Sequence, residues 1–128
     1  MFEPMYSPWG NIQTCKILTP GVFEVTTASH GGIMVSRDCI SETLSREAQK
    51  CGFMDGAYLC FEEDCDAPVV IRELLDKNLM KAHVNEFYKE GEYAECIDRA
   101  LKQWHPRYWA YRSGEKPPAK KPKDREER

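Results

Sequence analysis

The apolar residues of this chain change their spacing midway, and that change limits the folds open to it. In the β-type run Val22–Thr27 successive side chains alternate between two faces. Phe23 and Val25 fall on one side of a segment whose other side carries Val22, Glu24 and Thr26. From residue 67 the period lengthens: Ala67, Val70, Ile71, Leu74, Leu75 and Leu79 follow the i, i+3, i+4, i+7 rhythm of a helix face. Strands followed by helices, without alternation between them, predict an α+β fold: a small antiparallel sheet in the N-terminal half packed against C-terminal helices.

Turn chemistry divides the first half. Thr19-Pro20-Gly21 separates two β-type runs, Ile12–Leu18 and Val22–Thr27, with the pair that tight turns favour. Ala28-Ser29-His30-Gly31-Gly32 precedes a third run, Ile33–Ser36, and is read as a hairpin loop that needs a glycine at positive φ. A helix is expected over residues 41–51, capped by Ser41 or Ser45 and closed by Gly52. Ala57–Phe61 reads as a buried fourth strand. Trp9, in an irregular lead-in, is expected to dock on the core, because an exposed indole would leave a large apolar area in water.

In the second half, Pro68 suits the first position of a helix, preceded by carboxylates that favour its positive end. A second helix is expected over Met80–Glu90, stopping at Gly91. A third, Glu92–Trp104, carries Tyr93, Cys96, Ile97, Ala100, Leu101 and Trp104 on one face and ends before Pro106. The last two form an αα-hairpin. Their Tyr88…Gly91-x-Tyr93…Ile97…Ala100-Leu101 spacing resembles one tetratricopeptide unit, but the single copy implies packing and not a peptide-binding array.

Charge divides the chain again. Residues 1–112 hold 12 Lys and Arg against 17 Asp and Glu, a net of −5, whereas residues 113–128 carry 6 against 4. Residues 1–112 are therefore read as a single domain, and the Pro- and Lys-rich tail 113–128 as disordered, having no large apolar residue to bury. An acidic body argues against direct nucleic-acid binding, which needs a basic face. No apolar run exceeds five residues, far short of the roughly 20 of a membrane span. The first residues carry no signal-peptide pattern, so a cytoplasmic setting is expected. The six cysteines contain no Cys-x-x-Cys and are read as free, mostly buried thiols.

Four groups of residues can carry chemistry. The run Glu62-Glu63-Asp64, with Cys65 and Asp66, is either a metal-binding or acid–base cluster or a solvated loop before a helix. His30, bracketed by Ser29 and two glycines, is a turn residue or a general base, and its loop is a candidate anion-binding nest. Trp104, Arg107, Tyr108 and Trp109 belong to an aromatic–arginine cluster that either closes the core or docks a partner. Cys60 and Cys65 are the weakest candidates, as structural metal ligands.

The pattern Trp9-Gly10-x-x-Gln13, Pro20-Gly21-Val22, Thr27-Ala28-Ser29-His30-Gly31-Gly32 and Phe61-Glu62-Glu63-Asp64 resembles an uncharacterised domain of phage, plasmid and conjugative-element proteins. The likeness covers roughly residues 7–75. It implies a mobile-element setting and a bacterial host, with no assigned activity, cofactor or catalytic residue. The leading expectation is thus a small non-enzymatic interaction protein that modulates a host or element-encoded defence or nucleic-acid-processing complex. Its partner surface would combine Glu62, Glu63, Asp64 and Asp66 with Trp104, Arg107, Tyr108 and Trp109. The alternative is a small metal-assisted hydrolase using His30 with Glu62, Glu63 or Asp64.

Overall fold

The computed structural model describes residues 3–114. Five strands, β1 (Thr14–Thr19), β2 (Val22–Thr26), β3 (Gly31–Ser36), β4 (Phe53–Asp55) and β5 (Tyr58–Glu62), form one antiparallel sheet in the order β1-β2-β3-β5-β4. A 3₁₀ turn (Arg37–Cys39) and two single-turn helices, α1 (Ile40–Thr43) and α2 (Arg46–Gln49), link β3 to β4. Three longer helices follow: α3 (Ala67–Asp76), α4 (Glu92–Trp104) and α5 (Pro106–Ser113). The fold is α+β, as the change of period predicts. Residues 115–128, almost the whole of the expected tail, lie outside the described residues.

Both faces of the sheet are covered. One face presents Val22, Ile33, Val35, Leu59 and Phe61 to a core shared with Leu44, Ala48, Val69, Val70, Leu74, Tyr93, Ile97 and Leu101. Helix α3 lies at the centre of that core. It is buried continuously from Ala67 to Leu74, so it takes part on nearly all sides and not through a single stripe. The opposite face buries Phe23, Val25, Met34 and Cys60 beneath Trp9, Ile12 and Tyr58.

Register and turns explain these elements locally. Ile17, Phe23, Met34, Cys60 and Phe53 pair one after another across the five strands, forming a single apolar row. Gly21, at φ 85°, occupies the turn position where a side chain would be strained. The glycines of the β2–β3 loop act differently from expectation. Gly31 and Gly32 lie inside β3 without positive φ. A Cβ on Gly32 would strike the Trp9 indole, 2.7 Å from Cζ2, and the Phe61 carbonyl. The bare backbone is what lets the indole lie on the sheet.

Several boundaries differ from the sequence expectation. The helix expected over 41–51 breaks at Leu44, which is extended; Ser45 then caps α2 by accepting from Ala48 N at 3.1 Å. Gly52 does not close a helix with positive φ. A Cβ there would lie 2.8 Å from Phe61 Cζ, so close approach accounts for it. Residues 81–90 form no helix, and no αα-hairpin arises from them. Asn85 Oδ1 accepts from Phe87 N (2.8 Å) and Tyr88 N (3.1 Å), a local turn that competes with helical bonding. His83 and Tyr88 instead pack edge-on against Tyr93, with ring centroids 4.5 and 5.2 Å away. Helix α4 has the expected limits. Pro106, expected only as its stop, also opens α5.

Replacing Gly32 by Ala forces the indole or the β3–β5 pairing to move. We expect Gly32→Ala to lower unfolding free energy by about 1–3 kcal/mol, the usual cost of overpacking a filled site. Chemical denaturation followed by Trp fluorescence measures this, and an unchanged midpoint would show that the Trp9 contact is dispensable.

Candidate functional site

Two buried charges on α3 organise the helical layer. Arg72 and Glu73 are each only 6% exposed. Glu73 accepts from Ser45 N and from the Tyr108 hydroxyl, both at 2.6 Å, and Lys77 Nζ stands 3.8 Å away. Arg72 donates to the Ala94 carbonyl (3.1 Å) and to Asp98 (2.5 Å), and lies 3.6 Å from Asp76. Asp76 receives both Nε and Nη2 of Arg112 at 2.8 Å. These hydrogen bonds hold the Asp76 carboxyl below the usual carboxylate range, against an opposing effect of burial. Burial and the bond to Glu73 push the Tyr108 phenol strongly upward, keeping it a neutral donor. The network joins α2, α3, α4 and α5.

The acidic run and the aromatic–arginine cluster meet at one corner. His105, between α4 and α5, lies with Nε2 2.7 Å from Asp66 Oδ1, in the loop from β5 to α3. Asp66 occupies the N-cap position of α3 but makes no side-chain cap bond, because its carboxylate faces the histidine. Glu62, the last residue of β5, and Glu63 and Asp64 in the loop are exposed, as are Trp104 (53%) and Arg107 on the other side. Tyr108 belongs to the core at 3% exposure and is not part of the surface. Trp109 is half-buried, with Lys102 Nζ 5.0 Å and the Arg112 guanidinium 5.7 Å from its ring centroid.

The histidine loop reaches the acidic run. Glu63 N donates to the Gly31 carbonyl at 3.1 Å, so His30, exposed in the loop, is one residue from a residue bonded to Glu63. The loop offers no anion nest through Ser29 and His30. Their amides point at the Thr27 hydroxyl, at 3.4 and 3.1 Å, which itself lies 2.6 Å from the His30 carbonyl.

The cysteines are free thiols, of which Cys60 is fully buried and the others half-buried. Cys60 lies in the cluster beneath Trp9, whereas Cys65 Sγ lies 3.7 Å from Glu62 Oε1 in the surface loop. Burial first, then Asp66 and Glu62, push the Cys65 thiol up to about 11; burial and neighbouring acids put Cys51 at about 11 and Cys60 at about 12. None of these three is an activated nucleophile near neutral pH. Among the described residues, no three His, Cys, Asp or Glu side chains are gathered closely enough to hold a metal ion.

Sequence reasoning missed Arg72, Glu73 and α5. Two charges inside the run Ala67–Leu75 carry a signal, since Val69 on the far side of the stripe already implies a helix surrounded by protein. The Asp66–His105 contact spans 39 positions and has no local sign.

An antiparallel sheet covered by a tryptophan-bearing segment on one side and a buried helix on the other, with a charged and aromatic corner at one end, defines an α+β domain whose most distinctive surface is that corner. Residues 2–128 match the model of a family described as a domain of unknown function (DUF7007), and the chain belongs to that family. The match extends beyond residues 7–75, where the motif likeness was read, to α4, α5 and the tail. No curated protein and no solved structure matches the chain. No helix among the described residues is long and apolar enough to cross a membrane.

Because the Cys65 thiol is held up to about 11, its alkylation by iodoacetamide should rise about tenfold per pH unit from 7 toward 10, following the thiolate fraction. Site-resolved mass spectrometry reads this, and a rate already level above pH 8 would refute the assignment. Since the folded-state value exceeds the unfolded one, the same thiol adds stability below about pH 9 that is lost as pH climbs toward 11.

Proposed function

We propose that this chain is a small non-enzymatic interaction protein of a mobile genetic element. It acts in the cytoplasm of a bacterial host and binds the basic, nucleic-acid-handling face of a host or element-encoded protein. The observation that carries the reading is the 2.7 Å contact between His105 and Asp66, which joins exposed Glu62, Glu63 and Asp64 to exposed Trp104 and Arg107 at one corner. Carboxylates projecting from a braced loop offer lysines and arginines the charge that phosphates would present, and an aromatic ring beside them supplies a desolvated anchor. The motif likeness to phage, plasmid and conjugative-element proteins supports the setting, and the net charge of −5 over residues 1–112 suits a basic partner.

Affinity capture from a host lysate with the full chain tests this. A captured protein should be released by salt, competed away by duplex DNA, and lost in the variant Glu62→Lys/Glu63→Lys/Asp64→Lys, whose far-UV circular dichroism should match wild type. Equal recovery with the charge-reversed variant would overturn the acidic-corner reading.

One observation favours the alternative, a metal-assisted hydrolase: the bond from Glu63 N to the Gly31 carbonyl brings the His30 loop to the end of β5. Calorimetric titration of the full chain with Mg²⁺, Mn²⁺ and Zn²⁺ decides it. Binding abolished by both His30→Ala and Glu63→Gln would support the hydrolase, and the absence of binding by all three ions would remove it.

A further inference from the structure

The acidic charge of residues 1–112 is unevenly placed. From 99 to 114 the chain holds Arg99, Lys102, Arg107 and Arg112 and no Asp or Glu, with Trp104, Tyr108, Trp109 and Tyr111 interleaved. In the fold this stretch forms the second half of α4 and the whole of α5. Helix α5 lies along α3, with His105 just before it at Asp66 and Arg112 near its end at Asp76, and it packs on both α2 and α4.

Most of the cations on this layer are uncommitted. Arg46, the first residue of α2, is exposed, as are Arg99 and Arg107, and none of the three makes a side-chain hydrogen bond or ion pair among the described residues. Lys102 is exposed too, its Nζ 5.0 Å from the Trp109 ring centroid. The neighbouring acids already have partners: Asp98 is bound by Arg72, Asp76 by Arg112, and Glu47 lies 3.5 Å from Lys50. Glu92 and Glu95 stand in the first turn of α4, away from its basic end. An excess of positive charge therefore gathers on one face of an acidic chain.

That face also presents a ring. Tyr111 is 55% exposed and leans on the buried Tyr108 with ring centroids 6.3 Å apart, so its place is set while much of it stays in water. Arg107 is four positions earlier, on the same side of α5. Cations around an exposed ring suit a polyanion that carries flat groups, whose phosphates meet the cations while a base stacks on the ring. A duplex keeps its base faces inside its own stack, and an acidic peptide offers a tyrosine nothing flat. A single strand supplies both. We infer that the face built from α2, α4 and α5 binds single-stranded nucleic acid through Arg46, Arg99, Lys102, Arg107 and Tyr111. The inference goes beyond the acidic-corner reading and does not rest on it.

Fluorescence anisotropy of the full chain with a labelled oligothymidylate or oligouridylate of about 20 nucleotides tests this, starting at about 50 mM salt. Four phosphate contacts on a single strand should give a slope of about −3 in log K against log salt, and Lys102→Gln should make it shallower by about 0.7. Tyr111→Ala should weaken binding at least about fivefold with the slope kept, the mark of a lost stack and not a lost charge. Far-UV circular dichroism of both variants should match wild type. Glu62→Lys/Glu63→Lys/Asp64→Lys, which tests the corner, should bind the strand no more weakly than wild type. Absence of binding to either oligonucleotide would overturn the proposal. So would an unchanged affinity in Tyr111→Ala, which would reduce the face to unspecific charge. Tighter binding of polyglutamate than of the strand would overturn it in favour of an acidic protein partner.

Discussion

The carboxylate of Glu73 is the point on which the helical layer depends. Moving a charge into a protein interior costs several kcal/mol unless hydrogen bonds replace the lost water. Glu73 recovers that cost from the Ser45 amide, which starts α2, and from the Tyr108 hydroxyl, which anchors α5. Its position on α3, buried continuously from Ala67 to Leu74, means that these short elements are oriented by reference to one group. Arg72, the next residue, does the same for α4 through Ala94 and Asp98. Apolar contacts fill the core, but directional bonds to two adjacent residues decide how three helices and a capped turn are arranged around it.

That arrangement also builds the corner. With α5 tied to Glu73 and Asp76, the residue before it, His105, is brought to Asp66. The acidic loop is thereby braced, and its carboxylates project from a fixed backbone. The neighbouring strand β3 contributes as well, where the Gly31 carbonyl accepts from Glu63 N. Three segments distant in sequence converge there, which is why the proposed function is tied to the corner and not to any one motif.

Much of the fold was legible from local chemistry. The Pro20-Gly21 turn, the alternation in β2, Pro68 opening α3, and α4 bounded by Gly91 and Pro106 each carry a signal within a few residues. What failed has physical causes. Met80, His83, Val84, Phe87 and Tyr88 have a helix-like spacing, but Asn85 offers its neighbours' amides an alternative acceptor. Gly31 and Gly32 look like turn residues because the indole that requires Gly32 lies 23 positions earlier in the chain. Pro106 reads equally well as the end of one helix and the start of the next. Of the candidate site, the residue types were legible and their meeting was not: it depends on helix packing across 39 positions.

The outer strand β1 has a consequence of its own. Its pairing with β2 shifts register between Ile17 and Thr19, and Lys16 stands exposed on it. A strand offered by a neighbouring molecule would meet an interrupted row of amides and carbonyls and a charged side chain that must be desolvated. The margin on the far side, β4, is three residues long, too short to template an addition. Resistance to fibrous stacking in a crowded solution is thus built into the two rims of the sheet and does not rely on the modest overall charge.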